Sequence, residues 1–195
     1  MAGWSDRRGP RSIPAGQKTG WRGFPRHGSV TTSLLGNGLM TVMAHDFLEP
    51  TPISGWGVQV SVAGDSGSVV RIGRYLPQNT ATSRNAFGDG LISSYGTVAT
   101  NTTGYKDLTL GSTEVLYGRH FLVAVAQNVT TTAPTLYTIG NAVSSNNTAL
   151  APSGATNLGA PNPYQTGITA ALPATLTDPP TLFTQFQYLV YYICA

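Results

Sequence analysis

Two short runs in this 195-residue chain carry the letters of known chemistry. Gly64-Asp65-Ser66-Gly67 reproduces the surroundings of a serine-protease nucleophile, and His45-Asp46 lies upstream as a source of a base. The spacing does not support a triad. In that mechanism histidine, aspartate and serine come from two barrels far apart in sequence, whereas His45 precedes Ser66 by only 21 residues. Ser68-Val69 also stand where the motif needs Gly-Pro. Asp and Gly between strands are what turn geometry favours, so the tetrad reads as a turn.

The second run, Gly16-Gln17-Lys18-Thr19, has a Lys-Thr pair but no glycine before the lysine, no preceding strand and no following helix. It therefore lacks the parts of a phosphate loop. His27, His45 and His120 have no metal-ligand spacing, and the lone Cys194 has no cysteine partner for a disulfide or a zinc site. Asp46, Glu49, Asp65, Asp89, Asp107, Glu114 and Asp178 form no close pair flanked by aromatics, which leaves a glycosidase without its two carboxylates. The expectation is a protein without catalytic residues, cofactor or metal.

Charge is distributed unevenly. Residues 1–27 hold six basic side chains, Arg7, Arg8, Arg11, Lys18, Arg22 and Arg26, against Asp6, for a net +5; residues 28–195 hold five basic and seven acidic residues, net −2. The pI near 9.2 therefore belongs to the first segment. Gly3, Gly9, Pro10, Pro14, Gly16, Gly20, Gly23 and Pro25 prevent a regular helix there, while Trp4, Trp21 and Phe24 are residues that gain by leaving water. Residues 1–27 read as an extended basic arm that docks on a neighbouring subunit or another protein. The slightly acidic body shows no matching basic stripe, which speaks against nucleic acid as the partner.

The elements that position these residues are short strands. With 41% hydrophobic and only 10% charged residues, 23 Gly, 13 Pro and about a fifth Ser and Thr, the composition favours many strands joined by turns. Leu39 to Leu48 alternates with Met40, Val42 and Ala44 on one face. Trp56, Val58, Val60 and Val62 recur at period two, and the Ala63 to Gly67 turn leads into Ser68 to Tyr75, so the pair is expected as a hairpin. Val70, Ile72 and Arg74 share parity, which places an arginine on the core-side face, where it needs a partner. Residues 77–90 read as loop, and Leu91 to Val98, Tyr105 to Leu110, His120 to Gln127 and Thr135 to Ile139 as strands. Residues 144–181 read as an irregular excursion that reaches a partner or a functional surface, and Phe183 to Ile193 as a closing strand. About eight strands at roughly ten-residue spacing with no amphipathic helix imply an all-β, jelly-roll-like two-sheet β-sandwich, residues 28–195, behind the arm of residues 1–27. No run reaches the about 18–20 apolar residues of a membrane span, and the expectation is a soluble, non-exported chain.

The run Trp56-Gly-Val-Gln-Val-Ser-Val-Ala-Gly-Asp-Ser-Gly-Ser-Val-Val-Arg-Ile-Gly-Arg-Tyr75 resembles a segment of tailed-bacteriophage virion proteins, especially tail-fibre and minor tail proteins. The resemblance continues through Gly96-Thr97-Val98, Thr103 to Lys106, Leu116 to Val125, Ala133 to Leu136 and Tyr164 to Pro173. It covers about residues 39–175. It implies a non-enzymatic β-sandwich module of the virion, often trimeric, displayed on the particle and able to meet a host glycan or protein. A capsid decoration or head-fibre protein of the same fold is the alternative it leaves open. Phe183 to Ala195 and the basic arm depart from the pattern and leave the attachment point undefined. The residues expected to attach the chain to tail or capsid proteins are Trp4, Arg7, Arg8, Arg11, Lys18, Trp21, Arg22, Phe24 and Arg26.

Overall fold

The computed structural model describes Gly20, Arg22–Gly23, Val30–Leu34, Gly36–Tyr75, Gly90–Gly140, Asn162–Thr175, Thr181–Phe183 and Phe186–Ala195. Among these residues there are eleven strands and no helix, hence none long and apolar enough to cross a membrane. In chain order they are β1 (Arg22–Gly23), β2 (Val30–Leu34), β3 (Met40–Val62), β4 (Val69–Tyr75), β5 (Leu91–Ala99), β6 (Gly104–Gln127), β7 (Thr135–Gly140), β8 (Asn162–Gln165), β9 (Thr181–Phe183), β10 (Phe186–Tyr188) and β11 (Val190–Cys194). Apart from Gly90, the loop expected over residues 77–90 lies outside the described residues.

The protein is an antiparallel β-sandwich built around two long strands. β3 and β6 pair from Met40↔Val125 to Val60↔Gly104, with irregularities between Phe47 and Thr51 and between Ile53 and Gly55. In the first, Leu48, Glu49 and Pro50 of β3 face Tyr117 alone; in the second, Leu110 to Thr113 of β6 face Ser54 alone. Extra residues bend a strand and raise its local twist, which lets one strand serve two layers. The end of β6 pairs with the start of β3 on one side and with β4 on the other, and β4 in turn pairs with β5. Beyond the bends, the end of β3 lies between β6 and β11, and β1 adds to β11. β7 extends this second layer, pairing with β2, with β10 and with the end of β3. One ladder network therefore folds over into two layers.

The main core lies between the layers. Val70 and Ile72 of β4 and Leu122, Ala124 and Ala126 of β6 meet Trp56, Val58 and Val60 of β3, Leu136 of β7 and Val190 and Tyr192 of β11. A second core forms on the opposite face of the first layer, where Met40, Val42, Tyr75, Phe121, Val123 and Val125 are covered by Leu172 and Ile168. The apolar run from Phe121 to Ala126 is thus buried on both faces, as expected of a central strand. Leu172 approaches so closely over Gly73 that a Cβ there would collide with its Cδ1.

Four expectations change. Trp56 to Val62 and Ser68 to Tyr75 do not form a hairpin: β3 pairs with β6, β7, β8 and β11, whereas β4 pairs with β5 and β6. The Ala63 to Gly67 segment is instead an arch that carries the chain from one layer to the other. Val62 leaves the face of Trp56, Val58 and Val60, because the register to β7 shifts between Val60 and Val62, and it is exposed. Of the excursion expected over residues 144–181, residues 144–161 and 176–180 lie outside the described residues; within the rest, β8 pairs with Met40 and Thr41, and Thr166 to Thr175 straps the second core through Ile168 and Leu172. The closing strand divides at Leu189, whose amide donates to Tyr137 O, so β10 joins β7 and β11 joins β3.

Candidate functional site

The Gly-Asp-Ser-Gly tetrad is a structural arch. Asp65 Oδ2 accepts from Thr130 N at 2.6 Å, Thr131 N at 2.8 Å and Thr130 Oγ1 at 3.0 Å, and Oδ1 accepts from Thr132 N at 2.9 Å. These amides, Thr131 foremost, hold the Asp65 carboxyl down at about 2. Both oxygens are therefore occupied in closing the 128–134 loop. Ser68 completes the arch, with its amide and hydroxyl both donating to Asp65 O and the hydroxyl meeting Thr100 Oγ1 at 2.9 Å. Ser66 is exposed, and His45 lies mid-strand on β3 against Phe47 and Tyr192. Asp65 and His45 thus lie in separate settings, the arch and the β3 strand.

Charged chemistry concentrates inside instead. The arginine that parity places on the core-side face is Arg74, 8% exposed and in line with Val70 and Ile72. Its Nη2 lies 3.3 Å from Glu114 Oε2, its Nε donates to Tyr95 Oη at 2.6 Å, and its Nη1 lies 3.3 Å from His120 Nδ1. Tyr95 in turn donates to Glu114 Oε2 at 2.7 Å. Three strands are tied by this cluster: β4 gives Arg74, β5 gives Tyr95, and β6 gives Glu114 and His120. Burial, with the Glu114 hydrogen bond, pushes the Tyr95 phenol up to about 12. Burial, with the Arg74 charge, pushes the His120 imidazole down. The companion Arg71 donates from Nε to Gln127 Oε1 at 3.0 Å. Glu114 had no sequence signal as a partner: it lies eight residues from Leu122, which pairs with Arg74, and the irregularity opposite Leu48 to Pro50 falls between them.

Among the described residues no group of three or more His, Cys, Asp or Glu is placed to hold a metal. Cys194 is buried in the core, and burial pushes its thiol up, away from the reactive thiolate.

Of the expected attachment residues, Trp4, Arg7, Arg8, Arg11, Lys18, Trp21, Phe24 and Arg26 lie outside the described residues. Arg22 is described by its backbone alone, which pairs opposite Ile193 in the β1–β11 ladder. Gly20 N donates to Cys194 O at 2.9 Å, Ser54 Oγ donates to Cys194 O at 3.1 Å, and Ala195 N donates to Pro52 O at 3.1 Å. The arm's root and the last residues of the chain thus share one sheet edge. Pro52 stands opposite Val115, and beside it on β6 the side chains of Val115 and Tyr117 are 64% and 67% exposed while Leu116 between them is buried. Residues of this size rarely stay so exposed in pairs without a use, which makes the root of the arm and the adjoining Pro52–Val115–Tyr117 surface the candidate assembly site.

No family model matches the chain, and neither a curated protein nor a solved structure matches it significantly.

Proposed function

We propose that the chain is a non-enzymatic structural protein of a tailed-phage virion, of the minor tail or tail-fibre type. In this reading the β-sandwich is presented outward, towards a host glycan or protein, and the basic N-terminal arm joins it to other virion proteins. The observation that carries the reading is the arm's root. A +5 segment with three large aromatics is stitched by Gly20 and β1 to β11 at one edge of the sandwich, in the sheet where β6, across β11 and β3, exposes apolar Val115 and Tyr117. Long-range attraction plus a few aromatic anchors is a sufficient recipe for docking on an acidic protein surface. The resemblance of Trp56 to Tyr75 to virion proteins is what suggests the virion class.

The same charge asymmetry favours a second reading, a capsid decoration or head-fibre protein held on the shell by the arm. Self-association, as a trimer in the resembled family, belongs to either reading. Ile168 and Leu172 of the Thr166–Thr175 segment are spent on the protein's own core, and Val115 and Tyr117 offer exposed apolar surface for it.

Incorporation into particles tests the proposal. Replacing Trp4, Trp21 and Phe24 together with alanine should leave a folded body that no longer joins particles, and added salt should weaken incorporation of the unaltered chain. Labelled protein on the tail supports the first reading, and on the shell the second. Normal incorporation of the triple variant overturns both, as does hydrolytic activity that disappears with Ser66→Ala.

A further inference from the structure

His45 and His120 stand directly opposite one another in the β3–β6 ladder, where paired residues hold their Cβ atoms about 5 Å apart. Both rings lie against Phe47, with centroids 4.3 Å and 5.7 Å away. His120 is buried, and each of its nitrogens already has a partner. Nδ1 is 3.3 Å from Arg74 Nη1, and Nε2 is 3.1 Å from Tyr117 O. A guanidinium only donates and a carbonyl only accepts, so Nδ1 must accept and Nε2 must carry the hydrogen. The neutral Nε2–H tautomer is therefore the one form that satisfies both contacts.

A proton on Nδ1 turns this acceptor into a donor aimed at a donor, and it places a second cation against Arg74. The groups facing the ring from the surrounding strands are His45 of β3, Arg74 of β4, Tyr95 of β5 and Glu114 of β6, with Tyr192 of β11 beyond Phe47. Glu114 is the single carboxylate in that set. It is already engaged by Arg74 and by Tyr95, so it does not offset a new charge in full.

We propose that the His120–Arg74 contact is an acid-sensitive clasp, closed while His120 is neutral and opened by its protonation, which releases β4 and β5 from β6 at this end of the sandwich. The clasp stands on the side-chain geometry alone and does not depend on the assembly reading. Its sense follows from linkage. Burial and Arg74 hold the folded-state imidazole below its ordinary value of 6.5. The unfolded chain therefore takes the proton first. The clasp's contribution to stability is complete above the ordinary histidine value and is lost as pH falls through it towards the folded-state value.

The test is denaturant unfolding of the full chain between pH 7.5 and pH 5, a window above most carboxylate titration, together with an NMR titration of the His120 ring. The folding equilibrium constant should fall by up to tenfold per pH unit below about pH 6.5. His120→Asn, which keeps an acceptor near the Nδ1 position but has no ionisable ring, should flatten that slope, whereas His45→Asn should retain it. A slope unchanged in His120→Asn overturns the proposal. Should that variant fail to fold, the ring titration of the unaltered chain decides, and a His120 that protonates at or above the ordinary histidine value overturns it equally.

Discussion

Replacing Leu172 with alanine separates a strap that completes the core from a loop that merely lies on the surface. Leu172 is 6% exposed, and its Cδ1 occupies the space above Gly73 that any side chain there would need. The segment around it is pinned by hydrogen bonds from Tyr75 Oη to Pro173 O at 2.7 Å, from Leu91 N to Ala174 O at 2.7 Å and from Gln127 Nε2 to Ile168 O at 3.2 Å. Leu→Ala in a core costs about 2–5 kcal/mol, with the larger values where the surroundings cannot collapse into the cavity. A backbone fastened on both sides of the cavity resists collapse, but Leu172 sits at the margin of the smaller core, so about 3 kcal/mol is expected. In a chain of this size that corresponds to about 6–12 °C in Tm. Urea unfolding should show a lower midpoint at unchanged m-value. Gly73→Ala supplies the internal control. Alone it overfills the site, but combined with Leu172→Ala its Cβ enters the vacated space, so the double variant should lose less than the two single losses together by about 0.5 kcal/mol or more. A loss below about 1 kcal/mol for Leu172→Ala, or strict additivity of the pair, would refute the assignment of this strap to the core.

Arg74→Ala should cost about 3 kcal/mol by chemical denaturation, the low end for breaking a buried ion pair, because Glu114 keeps some contact with water; a loss under about 1 kcal/mol would mean the cluster is ornamental. Asp65, held at about 2 against an ordinary 3.8, stabilises the arch above about pH 4 and loses that contribution as pH falls towards 2. Asp65→Asn should therefore loosen the 128–134 loop at neutral pH, read as faster amide exchange at Thr130 to Thr132, and reduce the loss of stability between pH 4 and pH 2. Tyr191→Phe removes the hydroxyl that donates to Asp107 and should cost about 1 kcal/mol without altering the fold, checked by Tm and circular dichroism.

What the sequence revealed and what it concealed divide along the range of the interaction responsible. Alternation is local, so the faces of β4, the central burial of Phe121 to Ala126 and the need of one arginine for a buried partner were all legible from neighbouring residues. Pairing is not local. A turn motif between two alternating runs reads identically whether the runs join as a hairpin or arch across a core, and Ala63 to Gly67 arches because β4 finds a better partner in β6 than in β3. The same limit hides the fusion of Leu39–Leu48 with Trp56–Val62 into β3. Glu49, Pro50 and Pro52 interrupt the apolar pattern as a loop would, yet Thr51, Pro52 and Ile53 keep their pairing to Leu116, Val115 and Glu114 because the extra residues are absorbed beside them. This is also why Glu114 was invisible as the partner of Arg74. It shares parity with His120 and Leu122, but eight residues and the irregularity opposite Leu48 to Pro50 separate it from Leu122, the residue that pairs with Arg74. Where a β-sandwich builds its layers from strands that bend through both, its polar residues with chemical potential gather at the bends, and those are the positions that sequence periodicity reads least well.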